Sequence, residues 1–321
     1  MHTGVEGLMA GAELGRATKL AARTSGDSTV AYAFAFARAA EAALGIKVPP
    51  RATWLRALMA ELERLANHFG DLGMICKDAL PSLLHDRCGV SRELVLRACD
   101  AAFGHRLGRD RIVPGGVVVD PSEDGLLVLE ALAVQLRTRF PEMVRLYADN
   151  SALQDRTTGT ARLPAKYVHQ YAAGGFVGRA SGRDFDARRD LAYAPYDELT
   201  FIVPLRHCGD VNARVWVRIL EIEQSLSLVD QILARLPVGP ISGGGRGPNR
   251  PCEGMAIVEG FRGDILAWIR FAGDGTVERC HLRDPSWFQW PLLELAMEGN
   301  TLGDFLLCCR SFNCSSSGHD L

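Results

Sequence analysis

The chain has 321 residues, 47% of them hydrophobic and 23% charged, with a net charge of −2. That balance is ordinary for a globular fold and offers neither the basic footprint of a nucleic-acid binder nor an attraction to anionic lipid. No apolar run approaches the roughly 20 residues that span a bilayer; the best candidate, residues 126–136, is interrupted by Glu130.

In chain order, the first half reads as successive helices. The start has no basic segment followed by an apolar run, so no signal peptide is expected. Residues 29–44 are Ala-rich and predict a helix whose small side chains would let neighbouring helices approach closely. It stops near Gly45, and Pro49-Pro50 separates it from the next. Over residues 52–72, Leu55, Leu58, Leu62, Leu65, Phe69 and Leu72 recur at three- and four-residue steps, the mark of an amphipathic helix. Residues 91–103 and 122–147 predict two more. The longest stripe runs over residues 211–236 through Val215, Ile219, Ile222, Leu226, Val229 and Leu233, and ends at Pro237, Gly239 and Pro240. A loop at 243–248 follows, then short strands at 255–259, 265–271 and 277–282, with a turn at Gly273-Asp274-Gly275. A last helix is expected after Pro285. The expected fold class is mainly α (α+β), one domain over residues 1–321 with a small antiparallel sheet near the C-terminal end.

Nine cysteines without an export signal read as reduced thiols. Cys76, Cys88, Cys99, Cys208, Cys252 and Cys280 stand alone as small hydrophobes. Cys308, Cys309 and Cys314, followed by His319, form a cluster, but no pair has C-x-x-C spacing and no metal is assigned to it. The 243–248 loop lacks both G-x-G-x-x-G and a Gly-Lys-Ser/Thr ending, so a turn is expected and a Rossmann NAD site is not.

Two polar stripes hold more information. Glu61, Arg64, His68 and Asp71 share one helix face, and Asp210, Arg214, Arg218, Glu221 and Ser225 share another. This spacing lets opposite charges meet. Either the stripes are solvated faces with weak ion pairs, or they form an internal polar seam where every charge needs a partner.

Ordered motifs then extend over nearly the whole chain. They are His2-Thr3-Gly4-Val5-Glu6; Pro49-Pro50-Arg51-Ala52 with Glu61-Leu62-Glu63-Arg64 and Asn67-His68; Pro114-Gly115-Gly116-Val117; Arg179-Ala180-Ser181-Gly182 with Asp186-Ala187-Arg188; and Gly209-Asp210 with Arg214, Arg218 and Glu221. Glu259 to Asp264, Arg283-Asp284-Pro285-Ser286, Asp304-Phe305, Ser311-Phe312-Asn313 and Gly318-His319-Asp320-Leu321 complete the series. Together they resemble the large-subunit family shared by energy-converting nickel–iron hydrogenases and complex I. Trp290-Pro291 and Asp304-Phe305 lean towards the formate-hydrogenlyase and hydrogenase-4 branch.

That resemblance implies a hydrogenase-large-subunit-like helical core in a membrane-associated oxidoreductase complex that couples electron transfer to ion translocation. It implies a small iron–sulfur partner carrying a 4Fe–4S cluster, other hydrogenase- or complex I-like subunits, and membrane subunits reached through the complex. The chain would then be peripheral, on the cytoplasmic face. The family's thiolate positions, however, fall on Ser25, Ser28, Ser315 and Gly318. Soft sulfur ligands are what bind nickel and bridge it to iron, so no metal and no cofactor held by this chain are expected.

Complex I relatives use the vacated cavity for quinone, and a quinone remains possible here. Their quinone-contacting tyrosine falls at Gly26, their supporting aspartate at Asp78, and their cluster-proximal histidine at Gly108, with His105 displaced nearby. Their headgroup histidine would lie upstream of residue 1, and the family's N-terminal strands would be missing, as in a truncated or split gene product. By resemblance, residues 23–28 should meet residues 313–318, with Arg262 and Asp78 close by. Arg23 and Arg262 would either stabilise a reduced acceptor or close the cavity by pairing with Asp27, Asp264 or Glu259. A non-catalytic structural or coupling subunit is the alternative reading; a working nickel–iron hydrogenase is the third.

Overall fold

Proline placement and apolar spacing set the helices of the computed structural model, which describes residues 3–80, 83–244 and 250–321. His2 of the first motif and residues 245–248 of the expected loop lie outside the described residues. Helices α1 (Val5–Met9), α2 (Leu14–Ala21) and α3 (Thr29–Leu44) lead into the 30-residue α4 (Pro50–Ala79), with proline in its first turn where no N–H is needed. Helix α5 (Leu83–Phe103) is followed by a small ribbon of β1 (Ile112–Val113) and β2 (Gly116–Val117), then α6 (Glu123–Ala148). Four short helices come next: α7 (Ser151–Thr157), α8 (Ala165–Gln170), α9 (Gly175–Ala180) and α10 (Ala187–Asp190). Helix α11 (Val211–Arg235) precedes strands β3 (Cys252–Gly260), β4 (Gly263–Phe271) and β5 (Val277–Arg283), and α12 (Ser286–Met297) and α13 (Phe305–Phe312) close the order. The Ser122 hydroxyl accepts Gly125 N–H at 3.1 Å, and the Asp210 carboxylate accepts Ala213 N–H at 2.7 Å, capping α6 and α11.

Two helices run further than their stripes predict. The α4 stripe weakens after Leu72 at Gly73, Lys77 and Asp78, yet Ile75 and Cys76 stay buried and the helix continues to Ala79. In α5, polar His85-Asp86-Arg87 and Gly89 mask the apolar spacing, while Leu84, Cys88, Ser91 and Val95 form the buried face from its start. Among the described residues no helix is long and apolar enough to cross a membrane.

Helix α4 is central, packing on α5, α11 and α13, with α6 backing α5. The three-stranded sheet is an antiparallel meander, β3-β4-β5, turned tightly at Phe261-Arg262 between the paired residues Gly260 and Gly263. The Ala-rich helix does approach a neighbour closely, but that neighbour is the sheet rather than another helix: α3 lies on β3 and β4. A Cβ at Gly254 would overlap the backbone of Ala39 and Ala43, so glycine is what allows this contact.

Candidate functional site

The two polar stripes face one another inside the protein. Glu61, Arg64, His68, Asp210, Arg214, Arg218 and Glu221 are each no more than 5% exposed, which removes the solvated-face reading. Their pairing runs mostly between elements instead of along one helix. Glu61 takes Arg64 at 3.3 Å, Arg188 at 3.0 Å, and the hydroxyls of Tyr196 and Ser225 at 2.7 Å each. Glu221 meets His68 Nε2 at 2.7 Å and Arg179 at 2.7 Å. Arg64 donates to the carbonyls of Glu259 and Gly260 at the β3–β4 turn, at 2.8 and 2.9 Å. Arg218 donates to Asp71 at 3.2 Å and to the Ser311 carbonyl at 2.8 Å, beneath the Phe176 ring. Arg214 reaches the Gly209 and Ala161 carbonyls and the Ser311 hydroxyl, while Asp210 serves as the α11 cap.

Burial opposes the charge on Glu221, but Arg179 and His68 outweigh it and hold the carboxyl below its usual range. Burial pushes the His68 imidazole down despite Glu221, so the neutral ring donates Nε2–H to that carboxylate. Burial and nearby Asp186 push Glu259 up to about 7. The network thus joins α4 and α11 to α9, α10 and the β3–β4 turn. Arg179, Asp186, Arg188 and Glu259 stand out in sequence only as motif residues; tertiary folding brings them into the seam.

At the positions where the resemblance puts the family's thiolates, the N- and C-terminal segments meet through Arg262. Its guanidinium grips Asp27 with two bonds, of 2.8 and 2.6 Å, and its Nε donates to the Asn313 carbonyl at 2.5 Å. The hydroxyls of Ser25 and Ser28 lie 2.7 and 3.3 Å from the same Asp27 carboxylate. Burial opposes its charge, but Arg262 holds the Asp27 carboxyl below its ordinary range. The Ser315 hydroxyl accepts Gly318 N–H at 2.9 Å, and Ser315 N–H donates to Ser286 at 2.9 Å. Beside them Asp284 is locked by the Tyr32 hydroxyl at 2.6 Å and by Ser286 N–H at 2.8 Å. A Cβ at Gly318 would overlap this carboxylate, so the space a cysteine would need is filled. Hydroxyl donors, the Arg262–Asp27 pair and the Asp284–Gly318 contact do not fit a nickel–iron centre. Among the described residues no group of three side chains could hold a metal, the region of Cys308, Cys309, Cys314 and His319 included.

Two expected neighbours lie elsewhere. Arg23 turns outward, 43% exposed, to pair with Asp110 at 2.6 Å and to cap the Lys19 carbonyl near the end of α2. Asp78 sits at the C-terminal end of α4 and pairs with Arg310 at 3.2 Å, with no bond to residues 23–28. His105 is also occupied: its Nδ1 accepts the N–H groups of Leu107 and Arg109 at 3.1 and 3.3 Å, fixing the turn after α5.

A cleft of about 350 Å³ opens beside the Arg262 pair, lined by Asp27, Asn67, Phe69, Gly70, Asp71, Gly73, Met74, His85, Gly89, Arg92, Arg310 and Asn313. It lies where α4 and α5 run close together. A Cβ at Gly73 would come within 3.0 Å of Cys88 Cβ, and one at Gly70 within 3.2 Å of the Arg92 side chain. An apolar recess shares Asp27, Asn67 and Arg92 with the cleft and is lined by both Gly26 and Gly108. Arg92, His85 and Arg310 carry no motif that marks them in the sequence; the glycines three residues apart on α4 are the signal that could have located the helix crossing.

A buried ion-pair core joins a central helix to a three-stranded sheet, and the two terminal segments meet through Arg262, a framework that the comparisons place among hydrogenase-like and complex I-type subunits. Residues 87–247 match the family described as the respiratory-chain NADH dehydrogenase 49 Kd subunit. The chain belongs to that family, which unites large subunits of hydrogenase-like and complex I-type oxidoreductase complexes. It is 30% identical to the carbon monoxide-induced hydrogenase of Rhodospirillum rubrum, over 98% of this chain and 87% of the relative. It is 29% identical to an NADH-quinone oxidoreductase subunit of Koribacter versatilis, over 87% of this chain and 76% of the relative. Its fold is similar to a chain of the membrane-bound sulfane sulfur reductase, an archaeal respiratory membrane complex, with a TM-score of 0.93, 25% identity, and coverage of 100% of this chain and 89% of the other.

Proposed function

We propose that this chain is the large subunit of a membrane-associated oxidoreductase complex and works without a nickel–iron centre of its own. Electrons reach its cleft from a 4Fe–4S cluster in a small iron–sulfur partner and pass to a quinone-like acceptor. Membrane subunits couple this transfer to ion translocation, and the chain is held peripherally on the cytoplasmic face through its partners. The observation that carries this reading is the 350 Å³ cleft beside Asp27 and Asn313, next to the converged ligand segments. Within reach of an acceptor there, the Asn67 amide donates to the Asp27 carbonyl and the Asn313 amide to Asp71, so both polar walls are fixed before anything binds.

One observation favours a structural or coupling role instead: Arg262 is fully engaged and Arg23 points away, which leaves the old ligand site closed. The two readings separate in the purified complex, assayed with a panel of electron donors and quinones. Asn67→Ala should lower turnover at least tenfold while the partners still co-purify. Unchanged turnover in an assembled Asn67→Ala complex would transfer the account to a coupling role.

A further inference from the structure

The charges around the cleft do not balance. Asp27 is neutralised by Arg262, Asp71 by Arg218, and Arg310 by Asp78. Arg92 lines both the cleft and the apolar recess, and no carboxylate or carbonyl among the described residues bonds to it. The nearest acid in sequence, Glu93, is already taken by Arg97 and Arg106, at 2.8 and 2.7 Å. Gly70 is what gives the Arg92 side chain room against α4. One uncompensated guanidinium therefore stands at the junction of a polar cleft and an apolar recess.

A guanidinium presents a planar fork of N–H donors that matches the two oxygens of a carboxylate. The recess next to it, about 20 Å³ and lined by Glu63 as well as apolar side chains, has room for little more than a water, whereas the cleft itself offers Phe69 and Met74 to an apolar body. A volume of about 350 Å³ falls within the range of small-molecule pockets, whose few polar groups fix orientation while apolar walls supply area. We propose that the cleft takes a small organic anion, its carboxylate paired with Arg92 and its apolar part against the cleft wall of Phe69 and Met74. This names an anionic ligand, distinct from the electron acceptor, for the cleft described above and rests on that reading.

Benzoate is the minimal probe, with uncharged benzamide as its isostere. Ligand that binds only the folded chain raises its melting temperature with increasing concentration. With the purified 321-residue chain, benzoate should give a saturable rise, and benzamide none. Arg92→Gln should weaken the benzoate response at least tenfold and Arg92→Lys should weaken it less. Arg139→Gln, the same charge change on the exposed face of α6, should leave it unchanged. Equal responses in wild type and Arg92→Gln, equal responses to benzoate and benzamide, or no wild-type response at millimolar benzoate would each overturn the assignment. Turnover of the assembled complex distinguishes the parent reading. A complex that reduces quinones yet ignores benzoate sinks the anion assignment alone, whereas a complex inert with every donor and acceptor removes the ground for both.

Discussion

Arg218 and Arg23 show how differently two arginines of one chain can be placed. Arg218 is fully buried, bonded to Asp71 and the Ser311 carbonyl and stacked on Phe176. Removing one partner of a buried pair strands the other charge, at a cost of about 3–5 kcal/mol. Arg23 and Asp110 are 43% and 30% exposed, and a pair so open to water contributes under about 1 kcal/mol. Arg218→Ala should therefore lower the melting temperature sharply and Arg23→Ala barely; equal small shifts would show that the buried α11 seam contributes no more to stability than an exposed pair. Sequence marked both residues through motifs, but only their partners decide their roles. Asp110, which captures Arg23, lies 87 residues away on a turn, and no local spacing announces it. The Arg262–Asp27 pair was legible as one of three possible partners because motif order already brings those segments together.

Helices were legible where a long apolar stripe coincides with clear stops. The bounds of α3 and α11 follow from Gly45 and Pro237. The start of α5 was hidden because its buried face is interrupted by polar side chains, and the cleft between α4 and α5 was hidden with it. One interaction at this scale gives a pH dependence. The Glu63 carboxylate on α4 accepts Val30 and Ala31 N–H in the first turn of α3, at 2.6 and 3.0 Å. Burial pushes its pKa from an ordinary 4.5 up to about 8, against those two bonds. A folded pKa above the unfolded one stabilises the protonated form, so this contribution is complete below about pH 4.5 and is lost as pH rises through about 8. Glu63→Gln stays neutral throughout. Its melting temperature relative to wild type should rise between about pH 5 and about pH 9; a difference that is flat with pH would show that Glu63 is charged in the folded protein at all of these values.

For the molecule as a whole, the family and its helical core were legible from motif order, since the motifs are largely the members of one buried network. Glu61, Arg64, His68, Arg179, Asp186, Arg188, Glu221 and Glu259 come from segments far apart in sequence and meet between α4, α11 and the sheet turn. What motif order did not reveal is how the old ligand site is filled, because that depends on Asp284 and Tyr32 closing on Gly318 in three dimensions. The central claim is that this large-subunit fold works without its nickel–iron centre. Elemental analysis of the purified complex tests it most directly: nickel should be absent at stoichiometric levels, and a content near one nickel per chain would contradict the account.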